Sequence, residues 1–61
     1  MVQLFVNVDS EGNIIFHYSG ENIIAMEPFD FFFLVEDAEI IDNLQNYKVI
    51  IEKFKPLLVK K

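Results

Sequence analysis

The segment between Val8 and Ile14, which reads Val-Asp-Ser-Glu-Gly-Asn-Ile, limits the possible folds of this chain more than any other. Aspartate starts a type I turn well because its side chain accepts the backbone N–H two residues further on. Glycine supplies the left-handed conformation of the bulge that closes a three-residue hairpin loop. Residues 2–8 and 14–18, on either side, are apolar and rich in strand-forming residues. The sequence therefore predicts an N-terminal β-hairpin.

The loop also predicts a register in which Asp9 faces Asn13. The pairs that then share one face are all apolar, namely Val8 with Ile14, Val6 with Phe16 and Leu4 with Tyr18. The other face is mixed and carries Phe5, Asn7, Ile15 and His17. We expect the first face to be buried, and the second to be partly covered by the C-terminal half or by another subunit.

Two more strands are predicted in the middle of the chain. Residues 23–27 form the first, which stops at Pro28 because proline cannot donate to a strand ladder. Residues 29–35 form the second, and its alternate residues share one face: Phe29, Phe31, Phe33 and Val35. Phe32 and Leu34 lie on the opposite face, so we expect this strand to be covered on both sides.

The remaining residues allow two interpretations. In the first, a short helix near 37–46 is followed by strands over 48–52 and 57–60, with a turn between them. In the second, a single long helix covers 37–55, because apolar residues recur at spacings of three and four from Ile40 to Leu58.

The β-branched run Val49-Ile50-Ile51 and the later Pro56 favour the first interpretation. The predicted fold class is therefore α+β. It is a small, mainly antiparallel sheet opened by the N-terminal hairpin, with one short helix and a C-terminal hairpin.

The size and composition of the chain favour self-association. Sixty-one residues form a single small domain, 1–61, near the size at which one core is only marginally sufficient. No cysteine is present to form a disulfide or a thiolate metal site, yet 52% of the residues are hydrophobic and seven are Phe. We expect a homo-oligomer, a dimer or larger, because so small a domain has little interior for these side chains.

Charge is strongly segregated along the chain, whose net charge is −5. Residues 1–47 contain nine carboxylates and neither Lys nor Arg. All five basic residues follow, namely Lys48, Lys53, Lys55, Lys60 and Lys61. Such a separation has to be neutralised within the fold, across an oligomer or by a partner.

The residues that carry most enzyme chemistry are scarce. The chain has one His, no Cys and two Ser, and both Ser lie in predicted turns. The two glycines stand alone, so there is no phosphate-binding loop. We expect no enzymatic activity and no cofactor.

Four carboxylates are close together in sequence, namely Glu36, Asp37, Glu39 and Asp42. Their spacing fits no calcium loop, and their position at the start of the predicted helix favours a solvated face that complements the helix dipole. We therefore expect no metal site. Nucleic-acid binding is not expected either, because the rest of the surface would oppose the attraction of the five lysines for phosphate.

No stretch of about 20 apolar residues is present, and the N-terminus lacks the basic region of a secretory signal. We expect no membrane association. The expected location is the cytoplasm, or a phage particle assembled there.

The opening strand with its turn over residues 8–14, and the closing segments Tyr47-Lys48-Val49 and Lys55-Pro56-Leu57-Leu58-Val59, carry a resemblance. In these the chain resembles the very small proteins encoded by phages and prophages of low-GC Gram-positive bacteria. Several proteins of that kind lie among tail or baseplate genes. The resemblance therefore implies a structural role, and it brings no catalytic residues with it.

Two hypotheses of function follow. The first is a non-enzymatic structural, assembly or interaction protein, of phage or prophage origin, that oligomerises by docking apolar sheet surface. Its predicted interface is Phe29, Phe31, Phe33 and Val35, with the five lysines as a basic end. The alternative is a small acidic inhibitor that imitates nucleic-acid phosphates and blocks a host protein. Its predicted partner face is Glu36, Asp37, Glu39 and Asp42.

Overall fold

A computed structural model describes all residues, 1–61. The elements in chain order are β1 (Val2–Val8), β2 (Ile14–Gly20), β3 (Phe31–Val35), α1 (Ala38–Asp42), a 3₁₀ turn (Leu44–Asn46), β4 (Tyr47–Glu52) and β5 (Lys55–Lys60). One antiparallel sheet has the strand order β2-β1-β3, and β4 pairs with β5 in a second sheet. The predicted α+β fold with a hairpin at each end is confirmed.

The loop of the first hairpin has the predicted chemistry. The Asp9 N–H donates to the Asn13 carbonyl at 2.9 Å, and the Gly12 N–H donates to the Asp9 carbonyl at 3.1 Å. The Asp9 carboxylate accepts the backbone N–H groups of Glu11 and Asn13, each at 2.9 Å. Gly12 has a φ of 87°, the left-handed conformation that the bulge requires.

The register beyond the loop differs from the prediction. Val8 does pair with Ile14, but a bulge then leaves Ile15 without a partner in β1. The following pairs are shifted by one residue: Asn7 with Phe16, Val6 with His17, and Phe5 with Tyr18. The predicted pairs of Val6 with Phe16 and of Leu4 with Tyr18 are therefore wrong. Because a shift of one residue exchanges the two faces of a strand, Phe16 and Tyr18 point away from the core.

The predicted strand over 23–27 is also wrong, because residues 21–30 form a loop without regular structure. The strand order explains the loop. β2 and β3 are parallel to each other on either side of β1, and parallel strands need a connection that returns along the sheet and crosses it. The side-chain carbonyl of Gln3 anchors this crossing segment by accepting the Ile23 N–H at 2.8 Å.

β3 begins two residues later than predicted and is covered on one side only. Phe31 and Phe33 are half-buried and Val35 is buried on the core side. Phe32 and Leu34 remain exposed on the other side, so the prediction that both sides are covered is wrong. At the start of β3 the Asp30 carboxylate accepts the Val8 N–H at 2.9 Å, which extends the ladder with a side chain.

The C-terminal part follows the first interpretation, and the single helix over 37–55 is wrong. The Asp37 side chain caps α1 by accepting the Glu39 N–H at 2.9 Å. After α1 and the 3₁₀ turn, the β-branched run enters β4, where such residues are favoured. α1 has only five residues, and no helix is long and apolar enough to cross a membrane.

The core is small and lies between the two sheets. Its buried residues are Leu4, Val6, Val35, Leu44 and Val49. Ile40, Ile41 and Leu58 are partly buried against them, so the helix and the second sheet cover one face of the three-stranded sheet. The chain exposes 4547 Å², whereas size scaling gives about 4,100 Å² for a folded monomer of this mass. The molecule therefore leaves more surface exposed than its mass predicts.

The second sheet is attached to the hairpin loop by main-chain contacts. The Val49 N–H donates to the Gly12 carbonyl at 2.8 Å, and Asn13 and Lys48 form an antiparallel bridge. A Cβ atom on Gly12 would lie only 2.2 Å from the Val49 carbonyl oxygen. Glycine is therefore required here both for its conformation and for the close approach of β4.

Candidate functional site

The face of the three-stranded sheet that points away from the core is largely aromatic. We call it the aromatic face, and it consists of Phe5, Phe16, Tyr18, Phe29, Phe32 and Leu34. The register places the strand residues on this face together, because Phe5 lies between its partners Tyr18 and Phe32 across the sheet. Phe29 comes from the crossing segment, which passes over this face.

The rings of the aromatic face pack on one another in a defined arrangement. Phe5 is central, with ring centroids 4.8 Å from Phe32 and 5.5 Å from Phe29. Phe29 in turn lies nearly parallel to Phe16, at 6.0 Å and 9°, and to Tyr18, at 6.4 Å and 13°. These separations are typical of favourable aromatic pairs. The rings therefore hold each other in place before any partner binds.

Apart from the crossing segment, nothing in the chain covers these rings. Phe16 is 53% exposed, Phe32 46% and Leu34 56%. Single exposed apolar residues are ordinary on a protein surface, but a contiguous apolar patch marks a site of interaction. The aromatic face is thus the candidate functional site.

A groove crosses one part of the aromatic face. It is lined by Phe16, Tyr18, Met26, Glu27 and Phe29 and has a volume of about 200 Å³. Met26, at the rim, is 90% exposed. Glu27 is the only charged residue in the lining, so the groove can accept an apolar group together with a neighbouring positive charge.

The four residues predicted as an interface are divided between the two faces of the sheet. Phe29 belongs to the aromatic face. Phe31, Phe33 and Val35 point to the opposite side and pack in or against the core of the same chain. The sequence patterns did not identify Phe5, Phe16, Tyr18 or Phe32 as surface residues. The one signal of the shifted register in the sequence was the pair Ile14-Ile15, since either isoleucine could face the core.

The carboxylates do not form a single row. Glu36, Asp37, Glu39 and Asp42 are all exposed at the start of and along α1. Glu36 follows Val35, which pairs with Val2, whereas the hairpin loop with its acidic residues follows Val8. β1 therefore separates the two acidic groups by about 20 Å. No three acidic or imidazole groups lie close enough together to hold a metal ion.

The five lysines lie in or beside the second sheet. None of them is paired with a carboxylate. The molecule contains one ion pair, between the N-terminal ammonium group and Glu21 at 3.8 Å, and both groups are exposed. Lys48 is half-buried, whereas Lys53, Lys55, Lys60 and Lys61 are exposed. The segregated charge is thus not neutralised by ion pairs within the chain, which leaves the basic end free to interact with another molecule.

Two titratable residues have structural positions that bear on chemistry. The backbone N–H of Asn13, more than any other group, lowers the pKa of Asp9, and the N–H of Glu11 acts in the same direction. The Asp9 carboxylate therefore stabilises the hairpin loop. His17 is exposed and lies opposite Val6, so the prediction that it shares a face with Phe5 is wrong.

The arrangement as a whole has features suited to binding. It offers ordered rings, an adjacent groove with one carboxylate, and a separate basic sheet. Comparison of the chain with protein-family profiles, with curated proteins and with solved structures gives no match.

Proposed function

We propose that this protein is a non-enzymatic assembly protein that self-associates by burying its aromatic face. The observation that supports the proposal is the preassembled cluster of rings, of which Phe16, Tyr18 and Phe32 remain about half exposed. Folding of the single chain gains nothing from leaving these rings in water. Burial of apolar area is the main driving force of protein association.

The area available is of the right order for an interface. An aromatic side chain buries 150–250 Å² when fully covered, so a half-exposed ring offers about 100 Å². Four or five such side chains supply about 400–500 Å² of apolar surface. This is a suitable centre for an interface of standard size, which covers about 800 Å² on each partner.

The charge distribution supports self-association in the same way. The unpaired lysines and the carboxylates lie on different parts of one molecule, so two copies can neutralise what one copy cannot. The resemblance to small phage proteins is consistent with a role in a particle, and that origin remains part of the proposal.

The acidic-inhibitor alternative receives less support. Imitation of nucleic-acid phosphates needs carboxylates arranged along one surface, and here they are divided between the two ends of β1. That alternative also gives no role to the aromatic face. Neutralising Glu36, Asp37, Glu39 and Asp42 tests it directly. The alternative predicts that binding to a basic partner is lost, whereas the assembly proposal predicts an oligomer that is weakened at most, because the aromatic face still holds it together.

The assembly proposal is tested by light scattering after size exclusion, over a range of protein concentrations and at low and high salt. We expect the wild type to form an oligomer. Phe16→Thr should shift the mass towards that of the monomer. Its matched control is Ile15→Thr, since Ile15 is the neighbouring residue of the same strand and is 66% exposed but lies outside the aromatic face.

Circular dichroism of both variants checks that the fold is retained. A wild type that stays monomeric at millimolar concentration, or equal masses for the Phe16 and Ile15 variants, would overturn the proposal.

A further inference from the structure

We infer that the occupant of the groove is the β4–β5 turn of a second copy of this chain, with Phe54 inserted among the groove residues. The inference rests on the proposed self-association and specifies its geometry. The turn and the groove are different surfaces, so each molecule would donate its turn to one neighbour and receive the turn of another.

The β4–β5 turn presents Phe54 without support from its own chain. Lys53 and Phe54 connect the strands and have φ values of 51° and 67°. Positive φ at both central residues is the signature of a type I′ turn, which favours Asn and Gly and disfavours bulky side chains. Phe54 is also 100% exposed. A phenylalanine that is both strained and fully solvated is unfavourable for folding, and such outliers point to function.

The turn and the groove are complementary in chemistry. Phe54 is flanked by Lys53 and Lys55; neither lysine forms an ion pair within its own molecule, and Phe54 is fully exposed. The groove offers aromatic walls and one carboxylate, that of Glu27. A lysine beside an inserted ring can pair with this carboxylate or lie over an aromatic face, which attracts cations.

The contact has to form between molecules. The second sheet packs against the core side of the three-stranded sheet, through Val49 and Leu58. The groove lies on the opposite side, so the sheet separates the turn from the groove of its own chain. A contact between two different surfaces is heterologous, and it generates a ring if the rotation closes or a filament if it does not.

Two variants test this geometry because each disables one of the two surfaces. Phe54→Ser removes the inserted ring and leaves the groove intact. The double variant Met26→Ser, Glu27→Lys alters the groove at exposed loop positions and leaves the turn intact. Mass is measured by light scattering for each variant alone and for an equimolar mixture, and circular dichroism checks their folds.

We expect each variant alone to be monomeric, with a dissociation constant raised at least about tenfold over the wild type. The mixture should form a one-to-one dimer, because one intact turn meets one intact groove. A symmetric contact of the aromatic face with itself does not predict this complementation.

Other outcomes overturn the inference in distinguishable ways. If Phe54→Ser still assembles while the groove variant does not, the aromatic face forms the interface without the turn, and the proposed function stands. If both variants are monomeric and the mixture is monomeric too, the inference fails and the proposed function again stands. If the wild type itself is monomeric, both the inference and the proposed function fail.

Discussion

Replacing Gly12 with alanine is expected to remove a large part of the stability of this fold. Gly12 has a φ of 87°, and a left-handed conformation costs an L-residue about 1–2 kcal/mol. The added Cβ would also lie 2.2 Å from the Val49 carbonyl oxygen and 3.3 Å from its carbonyl carbon. Both atoms belong to the backbone, so the clash cannot be relieved by a side-chain rotation, and β4 has to move.

That movement has a calculable consequence. It breaks the 2.8 Å hydrogen bond from the Val49 N–H to the Gly12 carbonyl, which contributes about 0.5–1.5 kcal/mol. It also displaces Val49, which is one of only five buried residues. The total loss is about 2–4 kcal/mol. Domains of this length have a free energy of unfolding of about 3–9 kcal/mol, so at the middle of both ranges the variant should lose about half of its stability.

The assay is urea denaturation followed by circular dichroism, at a fixed protein concentration because self-association adds apparent stability. Gly20→Ala is the matched control. Gly20 has no positive φ. The nearest neighbour of a Cβ atom added there would be the Cγ2 atom of Ile23, a loop side chain, at 2.9 Å. We expect this control to lose less than about 1 kcal/mol.

A second variant separates the two causes. Asparagine tolerates the left-handed conformation but retains the clash with Val49, so Gly12→Asn should lose nearly as much as Gly12→Ala. A loss below about 1 kcal/mol for Gly12→Ala, or one equal to that of Gly20→Ala, would refute the reasoning.

Three further predictions concern the core, the loop and the turn. Leu4→Ala should lower the free energy of unfolding by about 2–5 kcal/mol because Leu4 is fully buried. Leu34→Ala, on the aromatic face, should lose less than half as much when the proteins are melted at concentrations at which they are monomeric, and equal losses there would contradict the assigned faces. The pKa of Asp9 is lowered in the fold, so its stabilising effect is present at neutral pH and is lost as the pH falls below about 4. The stability difference between the wild type and Asp9→Ala should therefore shrink in acid, and a difference that stays the same from pH 7 to pH 2 would disprove this account. Phe54→Gly should raise the free energy of unfolding of the monomer by about 1 kcal/mol, because it relieves a positive φ. A loss of stability would show instead that Phe54 packs on its own chain.

Short-range chemistry made several elements predictable. The hairpin loop follows from Asp9 and Gly12, because the hydrogen bonds that close the loop join residues no more than four apart. The C-terminal hairpin follows from the β-branched residues of β4, and the cap of α1 from Asp37. Each of these signals acts between neighbours in sequence, so no knowledge of the tertiary structure was needed.

The crossing segment shows where such reasoning stops. Residues 23–27 have the composition of a strand, yet the order β2-β1-β3 requires this stretch to return across the sheet. Strand order depends on which long-range pairs form, and the local sequence does not encode it. The same topology carries Phe29 onto the aromatic face, away from Phe31 and Phe33.

Local sequence was enough to predict the two hairpins and the short helix, and it contains the segregation of charge between residues 1–47 and the lysines that follow. The side of the sheet that holds the aromatic rings, and the absence of partners for the lysines, depend on the three-dimensional packing of the chain. The reason for the first is the alternation of side chains along a strand. One unpaired residue, Ile15, exchanges the faces of every later residue in β2, and Ile14 satisfies the core equally well in either register. Phe16 and Tyr18 were therefore predicted to lie in the core and instead form the surface on which the proposed function depends.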